Sequence, residues 1–100
     1  MGTYILIDSD SGYVWGDAQA DSIDEACRIV DAQNGEPHRR YEVGGPREAT
    51  DGSHYLVYED PDGFDLMAYG DGGAQNEELI AAVSALPLVA RVTSPAPELP

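Results

Sequence analysis

The sequence contains no lysine, and its five positively charged side chains are all arginines, set against nineteen aspartates and glutamates. The resulting formal net charge is −14 at pH 7. A surface this acidic repels phosphate groups and anionic lipids. The composition therefore excludes direct binding to nucleic acid or to a membrane surface.

Cysteine is almost absent as well. The single Cys27 cannot form an internal disulfide and is typical of a protein from a reducing compartment. The first residues show no secretory-signal pattern. The longest uncharged apolar stretch, Leu79 to Ala90, is shorter than the about 20 residues that a membrane-spanning helix needs. We therefore expect a cytoplasmic protein.

Hydrophobic residues make up 42% of the 100-residue chain, which is enough for one folded core and too much for a disordered acidic tail. The length allows one domain. We predict a single α+β domain over residues 1–93. The Pro-rich segment 94–100 has nothing to bury and is predicted to be a disordered tail.

The first half of the chain predicts a hairpin followed by a helix. The apolar run 3–8 and the segment 13–15 flank a turn in which Gly12 is free to take a positive φ. The pair Ser22 and Glu25 forms a capping box that begins a helix at about 22–33. Asn34 and Gly35 supply its end. The apolar stripe of this helix comprises Ile23, Ala26, Cys27 and Val30.

The second half predicts three further strands, a helix and a closing strand. The strands are 39–43, with Tyr41 and Val43 facing inward, then 54–59 and 64–69. Asn76 is expected to cap a helix that ends before Pro87, and residues 88–92 form the last strand. The order is ββαβββαβ, which indicates an α+β fold with two helices packed on one face of a mainly antiparallel sheet.

The charge is arranged in blocks along the chain. Residues 1–27 and 48–90 contain acids without any arginine or lysine, whereas residues 28–47 contain four of the five arginines. Carboxylates close together without counter-charges repel one another, by roughly a kcal/mol or less per pair at a surface. A net charge of magnitude about 2–8 would be enough for solubility. The excess acidity therefore needs a physical reason.

Mimicry of a polyanion would account for the excess. Carboxylates two residues apart on an extended strand, such as Asp8 and Asp10 or Asp60 and Asp62, would point the same way about 6.6–6.8 Å apart. Such rows can enter a basic groove shaped for phosphates and form charge-assisted hydrogen bonds with its arginines and lysines. The six tyrosines and Trp15 are candidate interface anchors, although sheet packing is their ordinary role.

Two alternatives to mimicry stay open. A generic or salt-adapted acidic domain would carry the same composition without mimicry. The acidic turns at 8–12 and 60–65 could bind calcium weakly, but neither has the glycine and glutamate spacing of a calcium loop.

Catalytic constellations are not found in the sequence. Cys27 lies on the apolar stripe of the first helix, and neither His38 nor His54 has a spacing that defines a base or a metal ligand. The glycines of 70–73 do not match a dinucleotide loop, and Asp71 would repel pyrophosphate. We therefore expect a non-enzymatic protein with no cofactor and no metal site.

Two resemblances bear on function. The run from Tyr4 to Asp17, YILIDSDSGYVWGD, is similar to the start of small proteins of bacterial plasmids and phages. The size and charge profile of the whole chain resembles DNA-mimicking anti-CRISPR and antirestriction proteins. This resemblance is one of composition, and it implies an inhibitor that acts in the cytoplasm of a bacterial host.

The hypothesis from sequence is an acidic inhibitor that blocks the basic nucleic-acid-binding site of a CRISPR effector complex or a similar defence protein. The candidate partner-binding residues are Asp8, Asp10, Asp17, Asp21, Asp24, Glu25, Glu59, Asp60, Asp62, Asp65, Asp71, Glu77 and Glu78.

Overall fold

A five-stranded antiparallel sheet forms the centre of the fold, and one helix packs on each of its faces. The structure, a computed structural model, describes residues 2–35, 41–47, 54–60 and 76–93. The elements are β1 (Gly2–Asp8), β2 (Val14–Ala20), α1 (Ile23–Gln33), β3 (Glu42–Gly44), β4 (Tyr55–Glu59), α2 (Glu77–Ser84) and β5 (Leu88–Thr93).

The strand order is β2-β1-β4-β5-β3, and every neighbouring pair is antiparallel. β1 and β2 form the predicted hairpin, in which Gly2 lies opposite Ala20 and Leu6 opposite Gly16. An irregularity at Leu6 and Ile7 brings Val14 opposite Ile7 and leaves Trp15 as an extra residue on β2. Gly12 has a φ of 76°, as its place in the turn predicts.

The two helices begin where their caps predict. The Ser22 hydroxyl accepts a hydrogen bond from the Glu25 N–H at 3.1 Å, and α1 ends at Asn34 before Gly35, which has a φ of 73°. The Asn76 side chain accepts from the N–H groups of Glu78 and Leu79 at the start of α2. These contacts satisfy backbone donors that a helix cannot satisfy itself.

The core is divided by the sheet into two clusters. On the α1 side, Leu6 and Val57 pack with Cys27 and Val30. On the α2 side, Ile5 and other residues of the sheet pack with the helix; this cluster comprises Ile5, Ile7, Val14, Tyr58, Leu79 and Val83. Since neighbouring strand residues point to opposite faces, the two helices lie on opposite sides of the sheet. The α+β class and the antiparallel sheet are confirmed, but the expectation of both helices on one face is wrong.

Three further expectations concern β3 and two segments outside the described residues. Tyr41 is buried, as predicted, but Val43 is 47% exposed because β3 is a three-residue edge strand that no helix covers fully. The predicted strand 64–69 and the predicted tail 94–100 lie outside the described residues.

Candidate functional site

Most described acids of the two blocks lie at two opposite ends of the sheet. The turn after β1 places Asp8 and Asp10 at one end, which we call the hairpin pole. The other end, which we call the helix-start pole, carries the acids that follow β2 and end β4, namely Asp21, Asp24, Glu25, Glu59 and Asp60. β1 runs the whole distance between the poles, which for its seven residues is about 20 Å.

The helix-start pole is organised by the beginning of α1. Gly2 of β1 lies opposite Ala20, so that Asp21 and the first turn of α1 follow directly at this end. Glu25 Oε2 accepts a hydrogen bond from the Asp21 N–H at 3.2 Å, which draws the two exposed residues together. Negative charge here is favoured by the positive end of the helix dipole.

β4 brings a second set of acids to the same pole. Glu59 lies opposite Tyr4 of β1 and is exposed, whereas Asp60 is only 8% exposed and its N–H donates to the Thr3 carbonyl at 2.9 Å. β2 and β4 flank β1, so their backbones are about 10 Å apart. Asp21, Glu25 and Glu59 are the exposed acids of this pole, and the side chain of the neighbouring Asp24 is 41% exposed.

Arginines in the described part of the chain make little contact with these acids. Between described residues there is one ion pair, in which Arg28 Nε lies 3.0 Å from Asp24 Oδ2 one helical turn away. Arg91 and Arg47 lie on and just after the paired strands β5 and β3, at the other edge of the sheet. Asp24 is thus partly neutralised by a neighbour.

At the hairpin pole, Asp8 is used by its own turn. Its carboxylate accepts from the Asp10 N–H at 3.2 Å and from the Ser11 hydroxyl at 3.1 Å. Asp10 lies in this turn and not on a strand, so the expectation that Asp8 and Asp10 share one face of an extended strand is wrong. Asp residues commonly bond their own backbone in this way.

The remaining described candidates lie neither in the hairpin turn nor beside the start of α1 or the end of β4. Asp17 is opposite Ile5, on the α2 side of edge strand β2, and is exposed. Glu77 and Glu78 are exposed in the first turn of α2. The structure therefore does not bring the described candidates onto one face. Asp62, Asp65 and Asp71 lie outside the described residues.

The aromatic residues are mainly packing groups. Tyr41, Tyr55 and Tyr58 are buried, and Trp15 packs partly buried against the α1 cluster. Tyr13, 40% exposed beside the turn at the hairpin pole, is the described aromatic residue that remains open to a partner.

A buried carboxylate is the main feature that the sequence pattern did not predict. Asp31 of α1 is 2% exposed, and its two carboxylate oxygens accept hydrogen bonds from the hydroxyls of Tyr41 and Tyr55. No ion pair joins Asp31 to a cation within the described ranges. Asp31 lies on the apolar stripe of α1, four residues after Cys27 and eight after Ile23. An acid on an apolar stripe is the sequence signal from which a buried carboxylate could have been predicted.

Burial and the Asp31 carboxylate raise the pKa values of two neighbouring groups, the Cys27 thiol and the Tyr55 hydroxyl. Burial, followed by the negative charges of Asp31 and Asp24, raises the pKa of the Cys27 thiol to about 12. Burial and the hydrogen bond to Asp31 also raise the pKa of Tyr55. Both groups therefore stay neutral in the folded protein at neutral pH, and a thiol of this kind is a poor nucleophile.

The described residues contain neither a metal cluster nor a membrane span. Within these parts of the chain, no three histidine, cysteine or acidic side chains are grouped to hold a metal ion. No described helix has the length and apolar character needed to cross a membrane.

Comparison with known proteins adds no relative: no protein-family model, curated protein or solved structure matches the chain.

Proposed function

We propose that the protein is a non-enzymatic inhibitor that presents carboxylates in place of DNA phosphates to a basic nucleic-acid-binding site. The proposed target is a CRISPR effector complex or a similar defence protein in the cytoplasm of a bacterial host. The inhibitor would need no cofactor and would bind neither nucleic acid nor membrane itself.

The helix-start pole carries this proposal. Asp21, Glu25 and Glu59 are exposed at one end of the sheet, and the nearby Arg28 is engaged with Asp24. Asp21 follows β2 and Glu59 ends β4, and the backbones of these two strands are about 10 Å apart on a rigid sheet. Phosphates across a DNA groove of about 6 to 12 Å present negative charge at comparable separations.

The overall charge supports the same function. A net charge of −14 would steer the protein toward a basic channel and accelerate association at low ionic strength. Arginine and lysine side chains of the channel would then bind the carboxylates by charge-assisted hydrogen bonds. Inhibition would result from occupying the channel, which requires no chemical step.

The test is a DNA-binding assay with purified CRISPR effector complexes of several types, each given its labelled target DNA. We expect the protein to displace the DNA from at least one complex, and a higher concentration of the same labelled DNA to restore its binding. The triple variant Asp21→Asn, Glu25→Gln, Glu59→Gln should weaken inhibition at least about tenfold, since each lost charge contact at an interface costs of order 1 kcal/mol or more.

A matched control removes the same number of charges elsewhere. The variant Asp10→Asn, Glu77→Gln, Glu78→Gln has an equal net charge but leaves the helix-start pole intact. Equal losses of inhibition in the two variants would show that only total charge matters. That result would contradict the assignment of partner binding to the helix-start pole. Failure of every complex to release DNA would overturn the proposal.

The distribution of the acids favours a second candidate, a salt-adapted acidic domain without mimicry. Exposed carboxylates occur at both poles and on the α2 side, where Asp17, Glu77 and Glu78 lie. Such a domain would gain stability up to molar potassium chloride, whereas simple screening of repulsion is complete at much lower salt. Thermal unfolding across this salt range separates the two candidates.

A further inference from the structure

The edge strand β3 has little to hold it in place. Among the described strands its three residues pair with β5 alone, and Glu42 and Val43 are exposed while Gly44 is half-buried. A strand without a buried side chain gains almost nothing from hydrophobic burial. The segment 41–47, which we call the strap, is therefore held by contacts outside β3, among them the burial of the Tyr41 ring in the α1 cluster.

Side-chain hydrogen bonds fasten the strap on both sides of β3. Before the strand, the Tyr41 hydroxyl donates to Asp31 Oδ2 in the buried cluster beneath α1. After the strand, the Pro46 carbonyl accepts from Arg91 Nε of β5 at 3.0 Å. The first bond is buried and its acceptor is a carboxylate, so it is the stronger of the two.

The same carboxylate is also held from the other side. Tyr55 of β4 donates to Asp31 Oδ1, and Tyr55 belongs to the interior of the sheet. If the strap lifts, Asp31 keeps Tyr55 and its second oxygen can be hydrated. The carboxylate thus loses one donor without becoming an isolated buried charge, which is the costly alternative.

We propose that the strap is a detachable unit, released when the Tyr41–Asp31 hydrogen bond breaks and the Tyr41 ring leaves the α1 cluster, while both helices and the other four strands stay folded. Its release uncovers the outer backbone edge of β5. Local openings of this kind are typical of segments with few buried contacts.

Native-state hydrogen exchange of the full ¹⁵N-labelled chain tests this in the wild type. We expect the β3 amides that are hydrogen-bonded to β5 to exchange at least about tenfold faster than the amide of Leu6 in the central strand β1. Low urea should accelerate Leu6 but leave β3 nearly unchanged, because a local opening exposes little surface. If β3 responds to urea as Leu6 does, β3 opens only by global unfolding and the proposal is wrong.

Two matched variants test whether the Tyr41–Asp31 hydrogen bond holds the strap in place. Tyr41→Phe removes a bond that is broken in the strap-open state, so β3 exchange should rise about tenfold or more. Tyr55→Phe removes a hydroxyl from the same carboxylate, but its bond persists when the strap opens. It should accelerate Leu6 and change β3 by less than about threefold. Equal acceleration of β3 amide exchange in both variants would show that the Tyr41 hydroxyl does not hold the strap in place.

Discussion

Asp31 shows how a single residue can depart from the pattern around it. The apolar stripe of α1 was predicted correctly, because Ala26, Cys27 and Val30 follow the helical period and are all buried. Asp31 is on the same stripe and is equally buried, since two tyrosine hydroxyls replace the water that its carboxylate loses. Those tyrosines are ten and twenty-four residues away, so no local pattern predicts the cluster.

Cys27 provides a prediction at this scale. Its pKa is 9.0 in the unfolded chain and about 12 when folded, because burial and then Asp31 and Asp24 disfavour the thiolate. A raised pKa stabilises the fold fully below pH 9, and this contribution is lost as pH rises from 9 toward 12. At pH 10 the loss should be about 1 kcal/mol.

Urea unfolding at pH 8 and pH 10 measures this loss, with Cys27→Ala as the comparison. The variant keeps Tyr55, whose pKa is also raised, so its stability still declines at higher pH. Its decline between pH 8 and 10 should nevertheless be smaller than that of the wild type by about 1 kcal/mol. Identical declines would show that the thiol does not contribute.

At the scale of elements, the sequence predicts where most helices and strands begin and end, but not on which face of the sheet each helix packs. Capping residues and turn glycines act locally, so α1, α2 and the hairpin were found where expected. The sequence did not predict that α2 packs on the face of the sheet opposite α1, although the sequence of β1 contains a signal for it. Residues 4–7 form a continuous apolar run, which is typical of a strand covered on both faces.

The packing of α1 on β2 makes a second prediction. A Cβ added at Gly16 would lie 3.0 Å from Val30 Cγ1, a side chain that is fully buried. Gly16→Ala should therefore destabilise the domain by about 1–2 kcal/mol. Urea unfolding is the measurement, and Gln19→Ala on the exposed side of β2 is the control.

A double variant checks the cause of this effect. With Val30→Ala already present, the space opposite Gly16 is larger and the second substitution should cost clearly less. An unchanged cost in that background would assign the effect to the β2 backbone and not to contact with α1.

At the scale of the molecule, charge blocks in sequence do not become charge blocks in space. The hairpin carries Asp10 to one pole and Asp21 to the other, although they are eleven residues apart. The sequence alone therefore identified the acidic blocks but not which of their residues share a surface. Only the strand pairing shows that Glu59, from the distant second block, lies at the same pole as Asp21 and Glu25.

Self-repulsion at a net charge of −14 gives a prediction for the whole domain. Raising sodium chloride from about 0.02 to about 0.3 M should increase the free energy of unfolding by about 1–2 kcal/mol, because screening shortens the reach of repulsion below about 10 Å. The gain should level off near the upper concentration and be the same in potassium chloride. A rise that continues to molar salt, or that depends on the cation, would instead support the salt-adapted domain.

Trp15, at the irregularity where β2 leaves its regular pairing with β1, has a practical consequence. It is the only tryptophan in the sequence, and its indole Nε1 is buried without a hydrogen-bond partner among the described residues. Its carbonyl accepts from the Asn34 side chain at the end of α1. Tryptophan fluorescence of the unmodified protein, excited at about 295 nm, therefore originates where α1 packs against the hairpin. Separation of these two elements would admit water to the ring and shift the emission to the red, an optical signal that needs no added dye.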